Sequence, residues 1–312
     1  MLTSLKQLRY LVALSEQLSF TRAADCCFVT QSTLSAGVKE LEDLLGAQLV
    51  ERDRQTVLMT PIGLEVVKRA RSILAARQDL VEVAAGAGKP MTGLLRLGVI
   101  PTIAPFLLPH SVQLIQQRYP ALRLALREDL TASLLLRLED GQLDFALIAL
   151  PYDTANLLVA PLFDDDLWIV GRNDDAEVKA KTVKITKSMT DRLLLLEEGH
   201  CLRDHVLHAC GASIRRSWEG VEANSLLTLV QMIESGLGIG LVPEMAVQSG
   251  LTKSPNLLAR PLAKPSPRRK IALVARRSTT RLADLKALAE VILMDGGRFR
   301  KKRACTLTFP QS

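Results

Sequence analysis

The chain has 312 residues, 48% apolar and 23% charged, a globular balance with length for more than one buried core. It contains no run of roughly 18 uninterrupted apolar residues, and it opens on an amphipathic pattern (Leu5, Leu8, Leu11, Val12, Leu14) rather than a signal peptide, so a cytoplasmic protein off the membrane is expected. The net charge of +7 is unevenly placed. Residues 1–60 hold six Lys or Arg against seven Asp or Glu, while residues 264–303 hold thirteen against three, so the basic character is no argument that the N-terminus binds nucleic acid.

In chain order, a first amphipathic helix covers about Leu5 to Gln17. Ser19 or Thr21 caps a second helix holding Ala23, Ala24, Cys26 and Cys27, and Thr30 or Ser32 caps a third through Leu34, Val38 and Leu41. Residues 49–60 suggest two short strands about a charged turn. Thr60 and Pro61 then start a long helix to about residue 85, whose apolar stripe (Ile62, Val66, Ala70, Ile73, Leu74, Leu80, Val81) suits a partner helix. The run Gly86 to Pro90 breaks it and marks a linker.

From Gly93 the periodicity changes. Strands near 94–100, 122–126 and 144–149 alternate with helices near 105–118 and 131–140, which argues for parallel βαβ units. Strands near 167–171 and 193–196 follow, then a cysteine-bearing helix, a helix near 224–235, a strand after Gly236, a strand at Ile271 to Ala275 and a last helix near 281–293.

Two constellations carry chemistry. Thr30, Gln31, Ser32, Thr33 and Ser35 put small polar side chains at a helix start after a tight turn, as a recognition helix in a major groove requires. Gln31 suits adenine, the hydroxyls suit phosphates or thymine methyls, Lys39 lies further along that helix, and Arg52 and Arg54 on the following hairpin suit the DNA backbone. A small three-helix domain with a solvated polar face would show the same pattern.

The second is Cys201, at a helix start after Gly199 with His200 and Arg203 beside it, a setting that lowers a thiol pKa. Cys210 lies nine residues on. Nine helical steps span about 13.5 Å. A disulfide needs Cα atoms within about 7 Å, so the pair cannot join while residues 202–210 stay helical. The plain alternative is two buried small hydrophobes. The five cysteines (Cys26, Cys27, Cys201, Cys210, Cys305) contain no Cys-x-x-Cys pair, and His200, His205 and His208 complete no compact ligand set, so neither metal nor cofactor is expected. Cys27 is expected in the core, Cys26 as a bystander, and Cys305 in an exposed basic tail.

Phe20 to Asp25, Val29 to Ser35, Leu41 and Glu42 with Leu45, Gly46, Leu49 and Arg52, then Thr60, Pro61 and Gly63 together resemble the LysR-type transcriptional regulators. Gly236, Gly238, Ile239 and Pro243 resemble that family's effector domain, so the likeness covers nearly the whole chain. It implies an N-terminal winged helix-turn-helix (1–60), a linker and dimerisation helix (61–90) and an α/β, periplasmic-binding-protein-like regulatory domain (91–303) of two subdomains, 91–163 with 268–303, and 164–267, before a tail (304–312). Ser32 departs from the proline often found there, which bears on the target sequence.

Within the family, Gly199 to Asp204 with Cys210, Gly98 to Thr102, Leu130 with Thr131, Pro161 to Asp164 and Pro267 to Arg269 resemble the hydrogen-peroxide-sensing members. That likeness implies Cys201 as the peroxide-reactive thiol and Cys210 as the resolving one, with Thr102, Thr131, His200, Arg203, Asp204 and Arg269 forming the pocket and its support. It also implies promoter DNA and RNA polymerase as partners, a homodimer or homotetramer, hydrogen peroxide as signal, a thiol reductant such as glutaredoxin, and control of oxidative-stress defence genes, with no enzymatic turnover. Two other functions use the same residues: a regulator that answers a small metabolite with structural thiols, and a thiol peroxidase, against which the N-terminal DNA-reading module argues.

Overall fold

The computed structural model describes residues 3–52, 57–85, 90–154, 156–210 and 222–297, and the backbone alone for residues 52, 78, 79 and 82–85. They fall into two compact units, one within Met1–Gly88 together with Glu139–Gln142, the other within Lys89–Leu138 and Leu143–Ser312.

The first unit begins with α1 (Leu5–Gln17), closed by a capping box in which Ser4 Oγ accepts from Gln7 N and Gln7 Oε1 accepts from Ser4 N. Ser19 caps α2 (Phe20–Cys27) and Thr30 caps α3 (Gln31–Leu45), each the first of the two residues the sequence offered. Between them Phe28 takes the left-handed conformation at φ 59°, which makes the tight turn. Leu8, Leu11, Leu14, Leu34, Val38 and Leu41 close over Ala23 and Ala24, whose small side chains let α2 seat deeply; Cys27 joins this core and Cys26 is exposed. Strands β1 (Val50–Arg52) and β2 (Val57–Met59) pair antiparallel as the wing. Glu42 fixes it to α3 by accepting from Leu49 N (2.8 Å) and Val50 N (3.0 Å). Thr60 Oγ1 accepts from Gly63 N (2.9 Å) to start α4 (Pro61–Ala85). Along α4, Ile62, Leu64, Ile73, Leu80 and Val81 are exposed.

The second unit runs β3 (Gly93–Val99), α5 (Ala104–Arg118), β4 (Leu122–Glu128), α6 (Thr131–Glu139), β5 (Phe145–Leu150) and β6 (Leu157–Arg172), then α7 (Lys187–Asp191), α8 (Cys201–Cys210) and α9 (Leu226–Glu234). It ends with β7 (Gly240–Pro243), α10 (Glu244–Gln248), β8 (Leu257–Pro261), β9 (Arg268–Arg276) and α11 (Leu282–Gly296). The strands lie in the order β4-β3-β5-β9-β6-β7, with β8 also on β6. Among the strand ladders of the described residues, β3 with β4 and β3 with β5 are the parallel ones; β9 returns between β5 and β6 and is antiparallel to both. The parallel βαβ units expected over residues 94–149 are present, and β9 adds antiparallel pairing to them, so the sheet as a whole is mixed. The cause is that β9 re-enters the first lobe from the second.

Strand β6 belongs to both lobes. From Leu157 to Asp166 it pairs with β9, and from Leu167 onward with β7 and β8. Each lobe has its own core, one around Leu95, Leu97, Phe145, Leu147, Leu273 and Leu288, the other around Ile169, Val170, Leu229, Ile233, Leu241 and Val242. The strand expected near 193–196 reduces to two isolated bridges, Leu193 with Ile239 and Leu196 with Ala223, because each end meets a different segment and no ladder builds. Sequence periodicity missed β8, a short edge strand ending in proline, and the short helices α7 and α10. Cys305 and the basic tail lie outside the described residues. Among the described residues no helix is long and apolar enough to cross a membrane.

Gly63 shows why the first turn of α4 holds a residue that lacks a side chain: a Cβ there would run into the Leu49 carbonyl. Gly63→Ala is expected to cost about 1–3 kcal/mol by overpacking, read as a lowered urea midpoint for the N-terminal unit with the wild-type slope.

Candidate functional site

In the first unit the polar start of α3 is a surface. Gln31, Ser32 and Thr33 are exposed, as are Thr30 and Lys39, and Ser35 is half-buried. Thr30 Oγ1 contacts Ser32 Oγ (3.0 Å) and Thr33 Oγ1 (2.8 Å), and Thr21 Oγ1 donates to Gln31 Oε1 (3.2 Å). Ser32, Ser35 and Lys39 follow at helical spacing on one face. Arg52 ends β1, and Arg54 lies outside the described residues.

The second unit builds a pocket from its βα turns. Val99 and Glu128 are paired at the ends of the parallel strands β3 and β4, and Thr102 and Thr131 stand at equivalent places just beyond them. Such crevices at the carboxyl ends of parallel strands are where α/β folds take ligands. Thr131 is the first residue of α6 and Cys201 the first of α8, so both stand at helix N-termini, where free N–H groups favour negative charge. Gly199, at φ 94° and packed against Leu130, turns the chain into α8.

Arg269 reaches the pocket from β9. It is fully buried, and its Nε donates to Asp165 Oδ2 (2.9 Å) on β6. Its Nη1 donates to Thr102 Oγ1 (2.6 Å) and its Nη2 to the Thr102 carbonyl (2.9 Å). Asp165 Oδ1 accepts from Met245 N (3.1 Å), so one ion pair gathers β6, β9, the β3–α5 turn and α10. Asp165 carried no signal in the sequence reading.

Cys201 is 4% exposed and packs in the first lobe's core. Burial pushes its thiol pKa up, while the Arg269 charge and the Thr131 hydroxyl pull it down. This corrects the expectation of a thiol depressed by its sequence neighbours: desolvation dominates, and the cation acting on the sulfur is Arg269, from a distant strand. Among the described residues the buried Thr131 hydroxyl has no hydrogen-bond partner, yet it lies close enough to favour the thiolate.

The other expected pocket residues separate into roles. His200 is buried, beside Glu197 (3.8 Å) and held at the Asn224 backbone. Arg203 donates to the Leu196 carbonyl and to Glu222 (both 2.8 Å), tying the start of α8 to its own lobe. Asp204 is exposed, and its charge opposes ionisation of Cys201. The structure therefore gathers Thr102, Thr131, Arg269 and Cys201, and sets Arg203 and His200 around them as support. Cys210 is half-buried against the second lobe's core, where burial raises its thiol pKa. Sequence reasoning missed His205, one helical turn from Cys201 and buried. Its Nε2 lies 3.1 Å from the Pro151 carbonyl. The four-residue spacing from Cys201 was its signal. Among the described residues no group of three or more His, Cys, Asp or Glu could hold a metal.

Two family models match. "Bacterial regulatory helix-turn-helix protein, lysR family" covers residues 5–64, and "LysR substrate binding domain" covers residues 88–295. The chain is 44% identical to the HTH-type transcriptional regulator EstR of Acinetobacter baylyi over 93% of its length and 96% of EstR. It is 38% identical to the DNA-binding transcriptional dual regulator OxyR of Escherichia coli over 94% of its length and 96% of that protein. Among solved structures, a full-length cysteine-to-aspartate variant of OxyR from Pseudomonas aeruginosa superimposes with a TM-score of 0.76 at 36% identity, covering 94% of this chain and 98% of that one.

Two predictions follow from the buried groups. Arg269→Ala leaves Asp165 buried and unpaired, which is expected to cost about 3–5 kcal/mol in urea denaturation and to raise the Cys201 thiol pKa further. Burial holds both His200 and His205 below the ordinary histidine value of 6.5. A histidine depressed in the folded state contributes stability that is complete above its unfolded value and is lost as pH falls through the folded one. The midpoint should therefore drop on acidification below 6.5, and a His200→Gln, His205→Gln double variant should flatten that dependence.

Proposed function

The chain belongs to the LysR family of bacterial transcriptional regulators, and we propose that it senses hydrogen peroxide by reversible formation of a Cys201–Cys210 disulfide. One observation carries this reading: a single ten-residue helix has a cysteine at each end, and each cysteine packs with a different core. Kinship with OxyR and with relatives named hydrogen peroxide-inducible genes activator supports peroxide as the signal.

In the proposed chemistry the Cys201 thiolate attacks one peroxide oxygen, the O–O bond breaks, and the departing hydroxide takes a proton to leave as water. Sulfur is oxidised to a sulfenic acid. The Cys210 thiolate then attacks that sulfur and expels hydroxide, which takes up the proton the Cys210 thiol released and leaves as a second water, closing the disulfide. Arg269 and Thr131 stabilise the attacking thiolate, and Thr102 is held in place by Arg269. Nine helical steps set the two residues about 13.5 Å apart along the axis, so closing the bond unwinds α8 and draws the two cores toward a new packing. That bistable element is the switch.

The remaining assignments belong to the same proposal. Residues 1–60 read promoter DNA through Thr30, Gln31, Ser32, Thr33, Ser35 and Lys39, with Arg52 and Arg54 on the backbone; residues 61–90 pair two chains, and residues 91–303 sense. The exposed apolar side chains of α4 support the pairing. RNA polymerase contact and reduction by a glutaredoxin-like thiol complete the cycle.

Peroxide treatment of the full-length protein is expected to give a Cys201–Cys210 cross-linked peptide by mass spectrometry, together with an altered DNA footprint. Cys201→Ser should hold the untreated footprint. Both thiols found free after treatment would sink the proposal. The 44% identity to EstR, a regulator whose name carries no peroxide response, supports a second reading, a regulator answering a small metabolite. Identical footprints with and without peroxide, alongside a ligand-dependent rise in melting temperature, would select it.

A further inference from the structure

Hydrogen peroxide carries two O–H groups, and a buried site that holds it must offer acceptors as well as donors. The pocket around Cys201 is rich in donors. Arg269 accepts nothing, and the Thr102 oxygen already takes the Arg269 Nη1 hydrogen bond, which leaves its own proton to give. The Thr131 hydroxyl has no partner among the described residues.

His205 supplies an acceptor atom that carries no proton of its own, which neither hydroxyl can. It is 7% exposed and lies four residues after Cys201, on the same face of α8. Its Nε2 lies 3.1 Å from the Pro151 carbonyl, an acceptor only, so Nε2 must carry the proton. In the neutral ring Nδ1 is then a bare lone pair, and among the described residues it has no hydrogen-bond partner. A buried acceptor left unsatisfied costs about 1–3 kcal/mol and asks for an explanation. His200 cannot take the same part, since its ring is engaged at Glu197 and the Asn224 backbone.

We propose that His205 is a positioning residue whose Nδ1 accepts a hydrogen bond from the peroxide O–H, orienting the other oxygen toward the Cys201 sulfur. This rests on the peroxide-sensing reading above and adds to it a proton condition. Protonated His205 has two donors and no acceptor, so acid switches the orienting contact off. The charged groups that act on this titration are Arg269 on β9 and Asp204 and His208 on α8, while Tyr152, next to Pro151 in the chain, interacts with Cys201, Asp204 and Asp153. Burial and the Arg269 charge both favour the neutral ring.

The test measures sulfenic acid formation at Cys201 in full-length Cys210→Ser protein, trapped by a cyclic 1,3-diketone and read by mass spectrometry across pH. His205→Leu removes the acceptor and should slow the reaction about 10–100-fold at neutral pH, the scale of losing one oriented hydrogen bond at a reacting centre. His205→Gln restores an acceptor beside an N–H for Pro151, and should recover most of the rate. The decisive readout is the ratio of the two profiles. The histidine protein should lose rate relative to the glutamine variant as pH falls below the ordinary histidine range. A folded leucine variant that reacts at the unsubstituted rate overturns the assignment, as does a ratio that does not change with pH. The glutamine comparison decides alone if the leucine variant fails to fold. A histidine protein whose Cys201 stays unoxidised at every pH removes the peroxide-sensing reading and this one with it.

Discussion

A guanidinium shut away from water has to be neutralised where it stands, and Arg269 organises the regulatory unit around that need. Its carboxylate partner lies on β6, its remaining hydrogens go to the turn after β3, and Asp165 in turn holds the start of α10. A buried pair of this kind is weak evidence for stability in itself, because desolvation offsets most of the attraction. What it fixes is geometry. It sets Thr102 at the mouth of the first βα turn and brings a positive charge to bear on a sulfur that burial alone would keep protonated. The low dielectric that opposes ionisation of Cys201 also strengthens the field that favours it.

The thiol pocket thus has two opposed settings. Desolvation holds the resting thiol quiet, while Arg269, the Thr131 hydroxyl and the N-terminus of α8 stand ready for charge as it develops. On the proposed function, a sulfur disposed in this way is kept from indiscriminate oxidants and prepared for a small neutral one. The second cysteine differs in the respects that matter to reactivity: it ends its helix, it is only half-buried, and its thiol pKa is raised by burial with no cation among the described residues to oppose it. The two cysteines are chemically unequal, as an attacking and a resolving thiol should be.

Much of this was legible in the residues. The first three helices, their caps and the apolar positions that close the N-terminal core follow from periodicity and capping chemistry, which are local. The cysteine spacing was also legible, because helical geometry needs no tertiary information. The sequence could not rank the influences on Cys201. His200 and Arg203 are its neighbours in the chain, but they turn to Glu197, Leu196 and Glu222, and Arg269 arrives from 68 positions away. The mixed sheet escaped for a similar reason: β9 looks like any buried strand, and its direction depends on the chain having already crossed to the second lobe and back. His205 was open to view at four residues from Cys201, but only its ring contacts separate an acceptor from an ordinary core histidine.

Strand β6 has a further implication. Its sixteen residues serve two sheets, changing partners between Asp166 and Leu167, one step from the residue that neutralises Arg269. Neither lobe has a complete sheet without it, so one continuous stretch of backbone joins two ladders. The lobes are coupled through that strand in heat or denaturant, despite having separate cores. A rearrangement at α8 acts on a body that transmits strain through its backbone hydrogen bonds and does not dissipate it in a slack joint.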